Sequence, residues 1–154
     1  MKNSMREYQE YLDAIHIPLR LACNTQSGWP IVLSLWFLHR GGLLYCATPR
    51  SAKVVAYLQH GPQCGFEIAA DRPPYCGIRG RAEASIDAQL GAEILEALIL
   101  RYLGNTENNL AKDLLAKVDN EVAIVLKPTR VYTWDFTNRM AGIPLSHSTN
   151  RVCP

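Results

Sequence analysis

The sequence predicts a mainly β, antiparallel fold with flanking helices, and three observations carry that prediction. Short apolar runs bounded by turn residues recur along most of the chain, among them Leu19 to Asn24, Pro30 to Leu38 and Leu43 to Ala47. Between the last two, His39-Arg40-Gly41-Gly42 supplies a hairpin turn. The clearest helical periodicity lies in Asp87 to Leu103, where Leu90, Ile94, Leu98 and Leu95, Ile99, Tyr102 line adjacent ridges.

In chain order, Ser4-Met5-Arg6-Glu7 has the capping-box pattern, and Tyr8, Tyr11, Leu12 and Ile15 follow at helical spacing. This predicts an amphipathic amino-terminal helix over 1–16, ended by Pro18. Leu19 to Asn24 alternates as a first strand, with Gln26-Ser27-Gly28 as its turn. Pro30 to Leu38 is apolar almost throughout, with Ser34 its one polar residue, which requires cover on both faces. After the third strand, Leu43 to Ala47, Pro49 interrupts the run. A helix then opens with Ser51 at its N-cap, carries Ala52, Val55, Ala56 and Leu58 on one face, and stops at Gly61-Pro62.

Cys64 to Ala69 and Tyr75 to Ile86 read as a fourth and a long fifth strand, Gly77 and Gly80 marking bends or close approach. Asp87 caps the long helix and Gly104 stops it; Thr106 caps a shorter one through Leu110, Leu114, Leu115 and Val118. Val122 to Leu126 and Arg130 to Phe136 complete the strands, with Pro128-Thr129 as a turn between them. The polar tail 137–154 has no periodicity and is expected to wrap a surface or a partner, or to lack order in part.

Composition narrows the class. A chain of 154 residues reads as one domain and hides about 70% of its unfolded surface on folding. Sixteen basic and fourteen acidic residues leave a charge of +2 with no basic run, which argues against a nucleic-acid partner. The amino terminus has no apolar targeting core, and no apolar run is long enough to span a bilayer; the expected location is the cytoplasm. Five scattered cysteines imply no disulfide framework and fit that compartment. Neither they nor the four histidines show metal-ligand spacing. A nucleophilic Cys76 activated by Arg79 is weighed against a buried structural thiol, and the latter is favoured.

The chemistry-bearing stretch is Thr48-Pro49-Arg50-Ser51-Ala52-Lys53. A strand end running into a helix start places free N–H groups, the hydroxyls of Thr48 and Ser51 and the cations Arg50 and Lys53 around one point, which suits a phosphate. The competing reading is a capped helix with solvated charges, and on these residues alone it is the stronger. Arg79 and Arg81 project on one side of their strand, either toward a bound anion or simply keeping an outer face wet.

This stretch, the strand Gly77-Ile78-Arg79-Gly80-Arg81-Ala82 and the late run Lys127-Pro128-Thr129-Arg130-Val131-Tyr132-Thr133-Trp134-Asp135 recur in an order and spacing that resembles the pyridoxamine 5'-phosphate oxidase-like family. These are FMN-binding split barrels, here in a short single-domain form, and the likeness runs from about Ile17 to Phe136. It implies an antiparallel split β-barrel forming a homodimer, with FMN at the subunit interface. It assigns the phosphate to Thr48, Arg50, Ser51 and Lys53, and lays the flavin ring along Val32, Leu33, Ser34, Leu35 and Trp36. Tyr75 stands where the family often supplies a side chain to the flavin, Arg79 is within reach of the cofactor, and Trp134 faces either the ring or the core.

The implied activity is that of a flavin-dependent oxidoreductase acting on a small molecule, with no essential protein acid or base. Ser146-His147-Ser148 and Arg151 do not match the Arg and His with which longer pyridoxamine 5'-phosphate oxidases grip their substrate, so the substrate stays open. The alternative on the same fold is a non-catalytic protein handling flavin, deazaflavin or haem; haem would call on His39, His60 or His147 as axial ligand.

Overall fold

The computed structural model describes residues 2–142 and Cys153, with side chains from Tyr8 onward. Its elements are α1 (Lys2–Ala14), β1 (Leu19–Asn24), β2 (Pro30–Leu35), β3 (Leu38–Arg40), β4 (Leu43–Pro49), α2 (Lys53–His60), β5 (Gln63–Ala69), β6 (Cys76–Asp87), α3 (Gly91–Leu103), α4 (Asn109–Leu115) and β7 (Glu121–Asp135). The seven strands form one antiparallel sheet in the order β2-β1-β5-β6-β7-β4-β3.

Alternation along each strand decides what lies inside. Leu19, Leu21 and Cys23 of β1, Leu44 and Cys46 of β4, Phe66 and Ile68 of β5, and Ile78 of β6 face a common core, closed by Tyr11 and Leu12 of α1 and by Val54, Val55 and Leu58 of α2. On the opposite face of the sheet, α3 lays Ile94 and Leu98 against Ala123, Tyr45, Ala47 and Val125. Gly80 allows the Phe66 ring to lie flat on β6, since a Cβ there would stand 2.6 Å from that ring. The β3–β4 hairpin closes at Gly41-Gly42 with φ of 60° and 80°, a pair of positive angles that side chains resist.

Several boundaries depart from the sequence reading. The first helix already includes Lys2, so Ser4 lies within it and does not cap it. The long second strand is two strands: Trp36 leaves the sheet to stack on Tyr102 at 4.9 Å, and the Phe37 N–H donates to the Tyr102 hydroxyl at 3.3 Å. Ala52, in extended conformation and with no side-chain cap, replaces Ser51 as the N-cap of α2, and Val54, not Ala56, joins its buried face. The Asp87 carboxylate accepts from the N–H groups of Gln89 and Leu90 in a turn before α3, and Asn108, not Thr106, caps α4 through the Ala111 N–H at 2.8 Å.

Pro128-Thr129 is not a turn. β7 runs unbroken to Asp135, and its register against β6 shifts by one residue between Arg81 and Ala82. The tail reading falls mostly on 143–152 and 154, outside the described residues; 138–140 forms one short 3-10 turn.

The cysteine reading is also corrected. Cys76 and Cys153 form a disulfide with their Cα atoms 5.8 Å apart, leaving Cys23, Cys46 and Cys64 as buried free thiols. A pair 77 residues apart in sequence gives no spacing pattern to read. The cysteine argument for a reducing compartment goes with it. No helix among the described residues is long and apolar enough to cross a membrane.

The expected thiol count follows. Denatured, unreduced protein should release three equivalents in a thiol titration and reduced protein five; five in both states would show that the bond is not made.

Candidate functional site

The sheet topology gathers the chemistry-bearing residues into two hollows. The first lies where the β4–α2 turn meets the turn before β7. Arg50 donates its backbone N–H to the Asn120 carbonyl at 2.7 Å, and Pro49 stands opposite Glu121 in the β4–β7 ladder. These contacts bring residues about 70 positions apart in sequence around a hollow of about 540 Å³ lined by Pro49, Arg50, Ser51, Lys117, Asn120 and Glu121.

Of the four predicted phosphate ligands, Arg50 and Ser51 line this hollow. Thr48 does not; it is buried on the strand face that carries Leu44 and Cys46. Lys53 is the first residue of α2, exposed and outside the lining. Lys117 and Glu121 are functional candidates that sequence reasoning missed, because no local motif joins a lysine after α4 to the Arg50 turn. Arg50 and Lys117 form no ion pair among the described residues. Glu121 is only 8% exposed, and burial raises its carboxyl above the ordinary glutamate value of 4.5.

The second hollow lies on the face of the sheet that α3 leaves open. Cross-strand register sets two rows of side chains across five strands: Ser34, Arg20, Glu67, Arg79, Tyr132 and, beside it, Val32, Ala22, Gly65, Arg81, Arg130. The hollow measures about 450 Å³, with Ala22 and Gly65 as its floor and Val32, Arg20, Arg79, Arg81 and Tyr132 around it. Val32 is 69% exposed, and the Arg130 guanidinium lies over the Tyr132 ring at 5.5 Å. The predicted flavin strand is therefore divided. Val32 and Ser34 point to this open face, Leu33 and Leu35 pack on the core, and Trp36 lies against Tyr102 beneath α3.

The remaining candidates sit near the outer end of the β6–β7 ladder. Trp134 stands opposite Gly77, packs on Phe136 at 5.2 Å and has a buried indole N–H without a partner among the described residues. Tyr75 is half-exposed, and its carbonyl accepts the Phe136 N–H at 2.9 Å. Cys76 is held in the disulfide, which removes the nucleophile alternative, and burial pushes the thiols of Cys46 and Cys64 up to about 12 and 11. Such thiols hold their protons at neutral pH.

Of the histidines, His60 is exposed at the end of α2, and His147 lies outside the described residues. The His39 side chain is 7% exposed; its Nδ1 meets Asp13 Oδ1 at 3.2 Å and its Nε2 is buried without a partner among the described residues. Among the described residues no group of three or more His, Cys, Asp or Glu side chains is placed to hold a metal ion.

Solved structures resemble this architecture closely. An F420 reductase matches with a TM-score of 0.69 at 21% identity, covering 81% of this chain and 95% of its own. A Listeria innocua protein named for pyridoxamine 5'-phosphate oxidase matches at 0.60 and 17%, covering 86% and 95%. HutZ, the haem storage protein of Vibrio cholerae, matches at 0.63 and 18%, covering 82% and 92%. No family model and no curated protein sequence matches the chain. The chain thus has the split-barrel fold of pyridoxamine 5'-phosphate oxidase-like proteins. Among the similar structures are proteins named for F420 reduction, haem storage and FAD binding.

The raised Glu121 carboxyl gives a signed expectation. Folding favours the protonated acid, so its contribution is full below the unfolded pKa and is lost as pH rises from about 4.5 through the folded value. Glu121→Gln should therefore flatten that fall in thermal stability between pH 4 and 7. Parallel curves for the two proteins would show that Glu121 is not responsible.

Proposed function

We propose that this protein binds a flavin, FMN first among the candidates, as a homodimer, and serves as a flavin-dependent oxidoreductase acting on a small molecule. The observation that carries the reading is one hollow lined by the Arg50–Ser51 turn and Lys117, two cations without ion-pair partners among the described residues, beside a hydroxyl. Charge-assisted contacts to a phosphate satisfy such a set. Lys53, one turn-residue away at the α2 start, adds to the local positive field.

FMN, when bound, supplies two-electron redox chemistry. The chain's own part is to hold and shield. Val32 and Ser34 offer the exposed edge of β2, and Arg79 lies two strands beyond β1 on the same face. The face itself carries exposed Val32 and Tyr132 with no helix of the described residues over them, which supports a second copy as its cover.

A non-catalytic haem-handling role is the second reading, and the likeness to HutZ favours it. Its weak point is His39: the ring is buried with Nδ1 engaged by Asp13, which leaves Nε2 hemmed in by the core and poorly placed for a haem face.

The visible spectrum of purified protein, with mass spectrometry of the molecule released by heat, separates the readings. A flavin spectrum with FMN at about one per subunit is expected. A haem band, or no uptake of added FMN, would overturn the proposal.

Arg50→Ala together with Lys117→Ala should weaken FMN binding more than tenfold, from two contacts of about 1.5–3 kcal/mol each. An unchanged affinity would remove the phosphate assignment. Val32→Glu, placed on the open face, should convert a dimer to monomer in sedimentation; a variant that sediments like the parent would place the interface elsewhere.

A further inference from the structure

The hollow between the two turns contains one group that a plain anion site does not call for. Glu121 lines it together with Arg50 and Lys117, is 8% exposed, and makes no side-chain hydrogen bond or ion pair among the described residues. An ionised carboxylate only accepts hydrogen bonds. Beside a bound oxyanion it is repulsive unless that anion brings a proton of its own. Phosphate monoesters carry such a proton up to their second ionisation near pH 6, and inorganic phosphate keeps it to about pH 7. A fully ionised oxyanion such as sulfate has none to offer.

We propose that Lys117 and Glu121 make this hollow selective for the proton-bearing phosphate group, Lys117 supplying attraction alongside Arg50 and Glu121 accepting the P–OH hydrogen bond that a fully ionised oxyanion lacks. No covalent bond changes; one proton is shared between a Glu121 oxygen and a phosphate oxygen. The occupant is inorganic phosphate or the phosphate end of a monoester, and the inference rests on the cradle reading above only in taking that monoester to be FMN.

The experiment is thermal unfolding of the full chain at pH 6.5, with sodium phosphate or sodium sulfate at matched ionic strength. General exclusion of both anions from the surface raises stability alike and cancels in the difference. Phosphate should raise the midpoint above sulfate by about 3 °C at concentrations well above its Kd. Glu121→Gln should close that gap by admitting sulfate. Lys117→Ala, a change at an exposed residue that leaves the core untouched, should abolish the gap and leave only the exclusion effect common to both anions.

Equal midpoints in the parent protein, or a gap that survives in both variants, would overturn the assignment. Adding FMN and riboflavin separates the two levels. Phosphate selectivity without FMN binding upholds this site and removes the flavin reading. Tighter binding of FMN than of riboflavin, with no phosphate-over-sulfate gap, keeps the flavin reading and removes this one.

Discussion

The fold depends on the antiparallel ladder of β6 and β7, which runs from Cys76 opposite Asp135 to Asp87 opposite Ala123 with a single register shift at Arg81/Ala82. Side chains alternate along a strand, so one inserted residue reverses which positions face inward. Before the shift, β7 sends Val122, Ile124 and Leu126 into the core and turns Ala123 and Val125 toward α3. After it, the even positions Arg130 and Tyr132 face outward with Arg81 and Arg79. A β7 without the bulge would drive the Arg130 guanidinium and the Tyr132 phenol into the barrel, where neither has a partner. The bulge is thus what lets one strand be core wall along its first half and floor of the open arginine-rich face along its second.

Arg101 performs a comparable service at the other end of the molecule. Its guanidinium donates to the carbonyls of Leu12, Asp13 and Ile15 at 2.7, 3.1 and 2.6 Å and lies over the Phe37 ring at 5.3 Å. Those carbonyls are groups that the end of α1 leaves without helical partners. One side chain therefore ties α3 to α1 and packs on the link between β2 and β3. The neighbouring Tyr102 hydroxyl donates to the Ile17 carbonyl and accepts from Phe37. This pair of residues explains why Trp36, apolar and in the middle of a strand-like run, is drawn beneath α3 and away from the open face.

How much of this was legible followed the range of each interaction. Periodicity and turn residues placed α3 and the β3–β4 hairpin, because each rests on residues a few positions apart. The split at Trp36-Phe37 was not legible, since it is imposed by Tyr102 from 65 residues away. The bulge was not legible either, since a two-residue turn at Pro128-Thr129 would produce the same change of inward positions from even to odd. At the site, Arg50 and Ser51 were found from a local motif, whereas Lys117 and Glu121 enter only through the β4–β7 pairing. Strand alternation could have warned that Val32 and Ser34 would part company with Leu33 and Leu35.

The two hollows bear on how such a protein would hold one cofactor. Glu121 walls the first and Tyr132 the second, and both belong to β7, eleven residues apart. At about 3.3 Å per residue this is roughly 35 Å of strand. Between them α3 covers the outer face over Ala123 and Val125. A single small cofactor cannot rest its phosphate among Arg50 and Lys117 and its ring on Val32 and Arg79 of the same subunit. If both surfaces serve one ligand, they must come from different copies of the chain, the phosphate turn of one meeting the open sheet face of the other. Dimerisation and cofactor binding are then one property, and a substitution such as Val32→Glu that separates the subunits should release the cofactor without touching a phosphate contact.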